Sequence, residues 1–296
     1  MPLVTAAQQG PIRIGGAWPL TGTVAASGKD MLNGFELYLD EIKRTMSGRR
    51  VDFIIEDTGG IPANTITKAR KLVERDRVHI LIAGLLASEG YAVRDYVHRF
   101  RVPTVMSIPA AMDLTQRLRS PYIVRTGWSS SQNSHALADY AYSKLGYRKV
   151  AVIADDYAHG HEEVGGFVRV FQDLGGCVVQ KVWNPLGTAD FGPYLAQLRK
   201  DVDAIYAVEV GADAIRFMKQ YQEFGLKGRF PLIGTGILTD ESLLRSMGDE
   251  AIGTITALQW SAALNTPAAR RFVEASEKRY GTDPSYYAET LYTTGR

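Results

Sequence analysis

The chain has 296 residues, 45% of them hydrophobic and 22% charged, an ordinary balance for a water-soluble globular protein and length enough for two domains with separate cores. Its 34 basic and 32 acidic side chains leave a net charge of +2 with no basic run, which excludes the electrostatic footprint of a nucleic-acid-binding protein. No apolar stretch approaches a membrane span, and the lone cysteine, Cys177, excludes an internal disulfide and a cysteine-based metal site.

Residues 1–10, MPLVTAAQQG, carry neither a basic segment nor an apolar one, so no signal peptide is legible; their small polar residues suit the start of a mature exported chain. IRIGGAW (12–18) then predicts a strand, and a helix follows from about Gly28 to Thr45 with Met31, Leu32, Phe35, Leu39 and Ile42 on one face. The connection between them, GTVAASGKD (22–30), almost spells a phosphate-binding loop. Its first glycine lies one residue too far from Gly28, however, and Asp30 stands where a metal-binding hydroxyl is needed. Ser27, with an acid three residues on, reads instead as a helix N-cap, leaving Lys29 toward solvent.

The rhythm continues. VDFIIED (51–57) leads through TGGIP to a helix carrying Ile66, Ala69, Leu72 and Val73. HILIAGL (79–85) leads to a helix from about Glu89 to Arg99, then VPTVMS (102–107) and YIVRTG (122–127). The helix SQNSHALADYAYSKLG (131–146) ends in a glycine suited to a C-cap. Strands KVAVIAD (149–155), CVVQKVW (177–183), VDAIYAVEV (202–210), FPLIGTG (230–236) and AIGTITALQW (251–260) alternate with further helices. Such alternation specifies an α/β protein with parallel sheets covered by helices on both faces. Some nine units fit two sheets of about five strands better than one. The predicted lobes are 11–126 and 127–253, with crossings near 124–132 and 250–260, and residues 254–296 return to the first lobe.

Ligands of open parallel sheets sit at the carboxyl ends of strands, against helix N-termini. Ser88 begins a helix there and could receive a carboxylate, although Tyr91 occupies the position where a capping box would need Glu or Gln. HGHEE (159–163) lacks the i, i+4 histidine pair of a metal-binding helix. No nucleophile elbow is present, Cys177 opens a strand that reads as buried, and Asp155-Asp156 has no evident acid–base partner. Trp18, Trp128 and Trp260 fall near crossings or cleft edges, as an aromatic-lined cleft would require.

In order along the chain, IRIGGAWPLTGTVAASGKDMLNGFELYLDEI, EDTGGIPANTITKARKLVERDRVHILIAGLLAS, PYIVRTGWSSSQ, VAVIADDYAHG, GTADFGPYLAQLR and FPLIGTGILTDESLL resemble the type I periplasmic solute-binding proteins of ABC importers. The resemblance is to the leucine/isoleucine/valine-binding class and covers about residues 11–290. It implies two Rossmann-like lobes joined by a three-stranded hinge, closing on one small ligand, with no enzymatic activity, cofactor, metal or nucleic acid. It also implies a periplasmic location, a monomer, and a membrane ABC permease as partner. The family's chains usually run some tens of residues past the last residue here, adding a helix and the third hinge strand.

By the same resemblance the ligand-binding positions are Ser27, Leu86, Ser88, Ala110, Ala111, Trp128, Ser130, His159, Glu209, Val210 and Gly236. Amino-acid binders of the family place acids for the α-ammonium where this chain has Ser130 and Gly236, and often Tyr where it has His159. Ser88, the carboxylate anchor, is kept. The expected ligand is therefore a carboxylate without an α-amino group, aromatic or branched, because a buried unpaired ammonium is costly. A branched-chain amino acid held by Glu209 is the alternative within the family; a ligand-sensing module and an α/β enzyme are the alternatives outside it.

Overall fold

The computed structural model describes residues 10–296 and contains two sheets with helices on both faces. In the first sheet, β1 (Ile12–Trp18) is central, flanked by β3 (Arg49–Asp57) and β4 (Ile80–Ala83), with β5 (Thr104–Met106) and β6 (Ile123–Arg125) beyond β4. A two-residue strand, β2 (Thr45–Met46), pairs antiparallel with β3; the other pairings of both sheets are parallel. The second sheet runs β11 (Ile255–Ala257), β10 (Leu232–Thr235), β9 (Ala204–Val208), β7 (Lys149–Asp155) and β8 (Cys177–Asn184). Every residue of β9 and all but the first of β7 are buried, as expected where helices cover both faces of a central strand. Cys177 is exposed, because the strand it opens lies at the sheet's edge, where one flank meets solvent.

Helix α1 spans Ala25–Glu41, three residues ahead of its predicted start, and is capped by Val24. Ser27 is therefore inside its first turn and not the N-cap: Gly22, at φ 83°, turns the chain early enough for Ala25-Ala26 to join the helix. The helix comes so close to the end of β1 that a Cβ on Gly28 would lie 1.6 Å from the Pro19 carbonyl. Trp18 is wholly buried under it and donates from Nε1 to the Gly28 carbonyl at 3.1 Å, so it is a core residue and not a cleft edge. Trp260, packed edge-on against Phe272, likewise belongs to the first core.

The chain crosses between sheets after β6, entering α4 (Ser131–Ser143), and again after β11. Helix α9 (Pro267–Tyr280) then buries Phe272 in the first core, and α10 (Tyr286–Gly295) lies along α1. Gly34 permits that contact, since a Cβ there would sit 1.8 Å from the Ala288 carbonyl. Among the described residues, no helix is long and apolar enough to cross a membrane.

Candidate functional site

The carboxyl ends of the two sheets face each other, and the lobes touch on both sides of the gap. Ala212 Nα, in the first turn of α7 (Gly211–Glu223), donates to the Thr23 carbonyl at 2.9 Å. Arg245 pairs with Asp30 of α1 at 2.8 Å. Across the gap, Glu162 of α5 (Ala158–Asp173) accepts from the Tyr91 hydroxyl at 2.6 Å and from the Met112 amide at 3.1 Å. The lobes are thus closed, and between them lies a nearly filled cavity of about 20 Å³, room for about one water molecule.

The first lobe contributes Leu85, Leu86 and Ala87 after β4, with Ile108 and Ala110 after β5. The second contributes Tyr157 and His159 after β7, Val210 after β9 and Ile237 after β10. Trp128 enters from the crossing segment, and Tyr286 and Tyr287 from the start of α10. Trp128 meets Tyr286 edge to face, ring centres 4.9 Å apart.

Five of the expected ligand-binding residues therefore line the cavity: Leu86, Ala110, Trp128, His159 and Val210. Ser130 stands one hydrogen bond behind, its Oγ 3.0 Å from His159 Nδ1. Ser27 is buried at the lobe interface, 3.3 Å from Ser242. Ala111 sits in the core behind the cavity wall. Gly236 opens the short turn that carries Ile237, with no room for a Cβ against Leu258. Ser88 is half-buried at the second position of α3 (Ala87–Arg99) and makes no side-chain hydrogen bond among the described residues. Tyr286 and Tyr287 escaped sequence reasoning because they follow no strand; only the packing of α10 on α1 brings them to the site.

The start of α3 is built differently from the sequence expectation. Leu86 is the N-cap, and the capping-box acid is Glu89. Its Oε2 accepts from the Leu85 and Leu86 amides at 2.9 Å each, and its Oε1 from the Thr58 and Thr65 hydroxyls at 2.6 and 2.8 Å. That buried carboxyl fixes the loop and leaves the N–H groups of Ala87 and Ser88, which a helix's first turn leaves without intrahelical partners. Arg125 donates to the carbonyls of Pro109 at 2.7 Å, Trp128 at 3.1 Å, and Ala111, and this half-buried cation fastens the segments after β5 and β6 to each other.

Glu209 does not line the cavity. Asn184 Nδ2 bridges its Oε2 and Asp155 Oδ1, at 3.0 Å each, and Asp155 Oδ2 accepts from the Val210 amide at 3.0 Å. Burial pushes both carboxyls well above the usual range, with each other's charge adding to the effect on Asp155. Among the described residues, the Glu209 Oε1 has no hydrogen-bond partner.

His159 is buried, and desolvation lowers its pKa to about 4, so the ring is neutral near pH 7. Ser130 Oγ lies 3.1 Å from the Ala110 carbonyl, to which it can donate, and 3.0 Å from His159 Nδ1. His159 Nε2 has no hydrogen-bond partner among the described residues. The nearest carboxyl oxygen, Glu163 Oε1, is 3.7 Å from it, and burial raises that carboxyl to about 8. Trp128 Nε1 is likewise buried and unpartnered. Among the described residues no three His, Cys, Asp or Glu are grouped to hold a metal.

The sequence matches the periplasmic binding protein family over residues 11–296, and the chain belongs to that family. Its fold is that of the type I members. Leu/Ile/Val-binding protein homolog 6 of Brucella melitensis biotype 1 is 30% identical over 281 residues, spanning 94% of this chain and 71% of the relative. An ABC transporter substrate-binding protein from Sphaerobacter thermophilus superposes with a TM-score of 0.88 at 41% identity, over 97% of this chain and 79% of that one. A solute-binding protein of an ABC transporter from Rhodopseudomonas palustris BisB5, solved with 3,4-dihydroxy benzoic acid, gives 0.89 at 33% identity, over 96% and 78%.

Proposed function

We propose that this protein is the extracytoplasmic substrate-binding component of an ABC importer, capturing a small aromatic carboxylate between its lobes and presenting it, as a monomer in the periplasm, to a membrane permease. The observation that carries the ligand class is the cavity wall. Rings of Trp128, Tyr157, His159, Tyr286 and Tyr287 surround the space, and no acidic side chain is among its lining residues. Stacked or edge-on rings add about 0.5–1.5 kcal/mol beyond the area they bury, which favours an aryl group over an aliphatic one. The ligand carboxylate is taken by the Ala87 and Ser88 amides together with the Ser88 hydroxyl at the start of α3. An α-ammonium would find no acid at the cavity surface and would lose its hydration without compensation. The Rhodopseudomonas relative, solved with a dihydroxybenzoic acid, supports this reading.

A branched-chain amino acid is the second reading, favoured by the name of the Brucella relative and by the unpartnered Glu209 Oε1 behind Val210. Calorimetric titration with benzoate, hydroxybenzoates, phenylpyruvate, leucine and isoleucine separates the two. Tight binding of an aryl acid and indifference to leucine is the expected result. Tight leucine binding that Glu209→Gln abolishes, with no response to aryl acids, would overturn it.

A further inference from the structure

The wall of the cavity holds a ring nitrogen that no group among the described residues satisfies. When Ser130 Oγ donates to the Ala110 carbonyl, it meets His159 Nδ1 as an acceptor, and the ring proton on Nδ1 leaves Nε2 bare. The ring lines the cavity and is 5% exposed, so bulk water does not serve the bare nitrogen. Glu163 Oε1 at 3.7 Å is beyond hydrogen-bond reach.

We propose that His159 Nε2 accepts a hydrogen bond from a hydroxyl on the ligand's ring, so that the cavity selects a hydroxylated aromatic acid over the unsubstituted parent. The assignment rests on the aromatic-acid reading given above and names the chemistry at the end of the ligand remote from its carboxylate. Ser130 acts as a positioning residue: without its oxygen the imidazole proton is free to move to Nε2, and the acceptor becomes a donor. A bare ring in the cavity leaves a buried lone pair unsatisfied, whereas a phenol satisfies it; a methoxy group offers no proton and fills the space. Sites built around a substrate hydroxyl reject the analogue lacking it more strongly than apolar pockets reject an added group.

The test is calorimetry on the folded protein with benzoate, the three monohydroxybenzoates and their methoxy counterparts. At least one hydroxybenzoate is expected to bind about tenfold or more tighter than benzoate, and its methoxy counterpart no tighter than benzoate. His159→Phe should bring the hydroxy-to-parent ratio to about one while benzoate still binds, and His159→Gln, which restores an acceptor, should recover part of it. Ser130→Ala should lower the ratio without touching the ligand. Nitrogen NMR of labelled histidine gives a readout independent of affinity: the unprotonated His159 signal should move with the hydroxybenzoate and stay with benzoate. Equal affinity for benzoate and all three isomers, or selectivity that survives His159→Phe, overturns the assignment and leaves the aromatic reading standing. Binding of leucine with no aryl acid bound overturns both.

Discussion

At the scale of single residues, the site is a set of buried polar groups whose states are set by burial. Glu163 is raised from 4.5 to about 8, so between those values the folded chain holds a proton that the unfolded chain releases. Stability associated with that proton is present below pH 4.5 and lost as the pH rises toward about 8. His159, lowered from 6.5 to about 4, acts with the opposite sign, adding stability as the pH rises through that window. The two oppose each other up to pH 6.5, above which Glu163 acts together with Glu209, likewise raised by burial to about 8. Unfolding midpoints are therefore expected to fall from pH 6.5 to 8, and Glu163→Gln should remove one group's share, at most about 1.4 kcal/mol per pH unit. An unchanged slope in the variant would remove Glu163 from the account. On the opposite wall, Ser88→Ala should weaken aryl-acid binding by about 1.5–3 kcal/mol, the range for a hydrogen bond to a charged group. Wild-type affinity, read by calorimetry, would assign the carboxylate to the backbone amides alone.

Residues that directly follow strands were open to sequence reasoning, because the carboxyl ends of a parallel sheet face the site. Trp128, His159 and Val210 stand in such segments, and the structure puts all three on the cavity wall. The cap of α3 was not open to it: Glu89 reads as an ordinary first-turn acid until its four donors are seen converging from three segments. Trp18 and Trp260 read as cleft residues because a sequence does not say which face of a junction is covered, and α1 and α9 cover theirs.

At the scale of elements, the alternation of apolar strands with amphipathic helices was enough to set out two parallel sheets. Helix limits were less legible: α1 and α3 each begin two or three residues early, where small residues extend the first turn. The packing of α10 on α1 had no signal beyond Gly34, a glycine inside a helix. Gly34→Ala tests that contact. The added methyl must displace the Ala288 carbonyl, and overpacking of this kind costs about 1–3 kcal/mol. Because α10 carries Tyr286 and Tyr287, ligand affinity should fall together with the unfolding midpoint. Loss of stability with intact affinity would show that the tyrosines hold their place independently of the helix contact.

At the scale of the whole molecule, the interlobe contacts near the cavity hold the closed form. Arg245–Asp30 lies on one side, and Glu162 with Tyr91 and Met112 on the other. Neither Arg245 nor Asp30 lines the cavity, so Arg245→Ala acts only through the balance of open and closed forms. Arg245 is one-third exposed, and the screened pair is worth about 0.2–1 kcal/mol, so ligand affinity should fall by up to about fivefold. Small-angle scattering supplies the second measurement. The radius of gyration should contract when a saturating aryl acid is added to the wild type, and the empty variant should be at least as expanded as the empty wild type. An unchanged radius on binding would count against lobe closure.

The cavity wall begins at Leu85 and ends at Tyr287, so its parts are made at widely separated times. While the chain is being synthesised, the first sheet can assemble around β1 and β4 long before α10 exists to lie on α1. Until then the Trp128 ring lacks Tyr286 as a neighbour, and the site has no floor. A solute therefore cannot template the early stages of folding; it can only reward a chain whose lobes are already built. The last aromatic pieces of the site thus join long after its first wall segment.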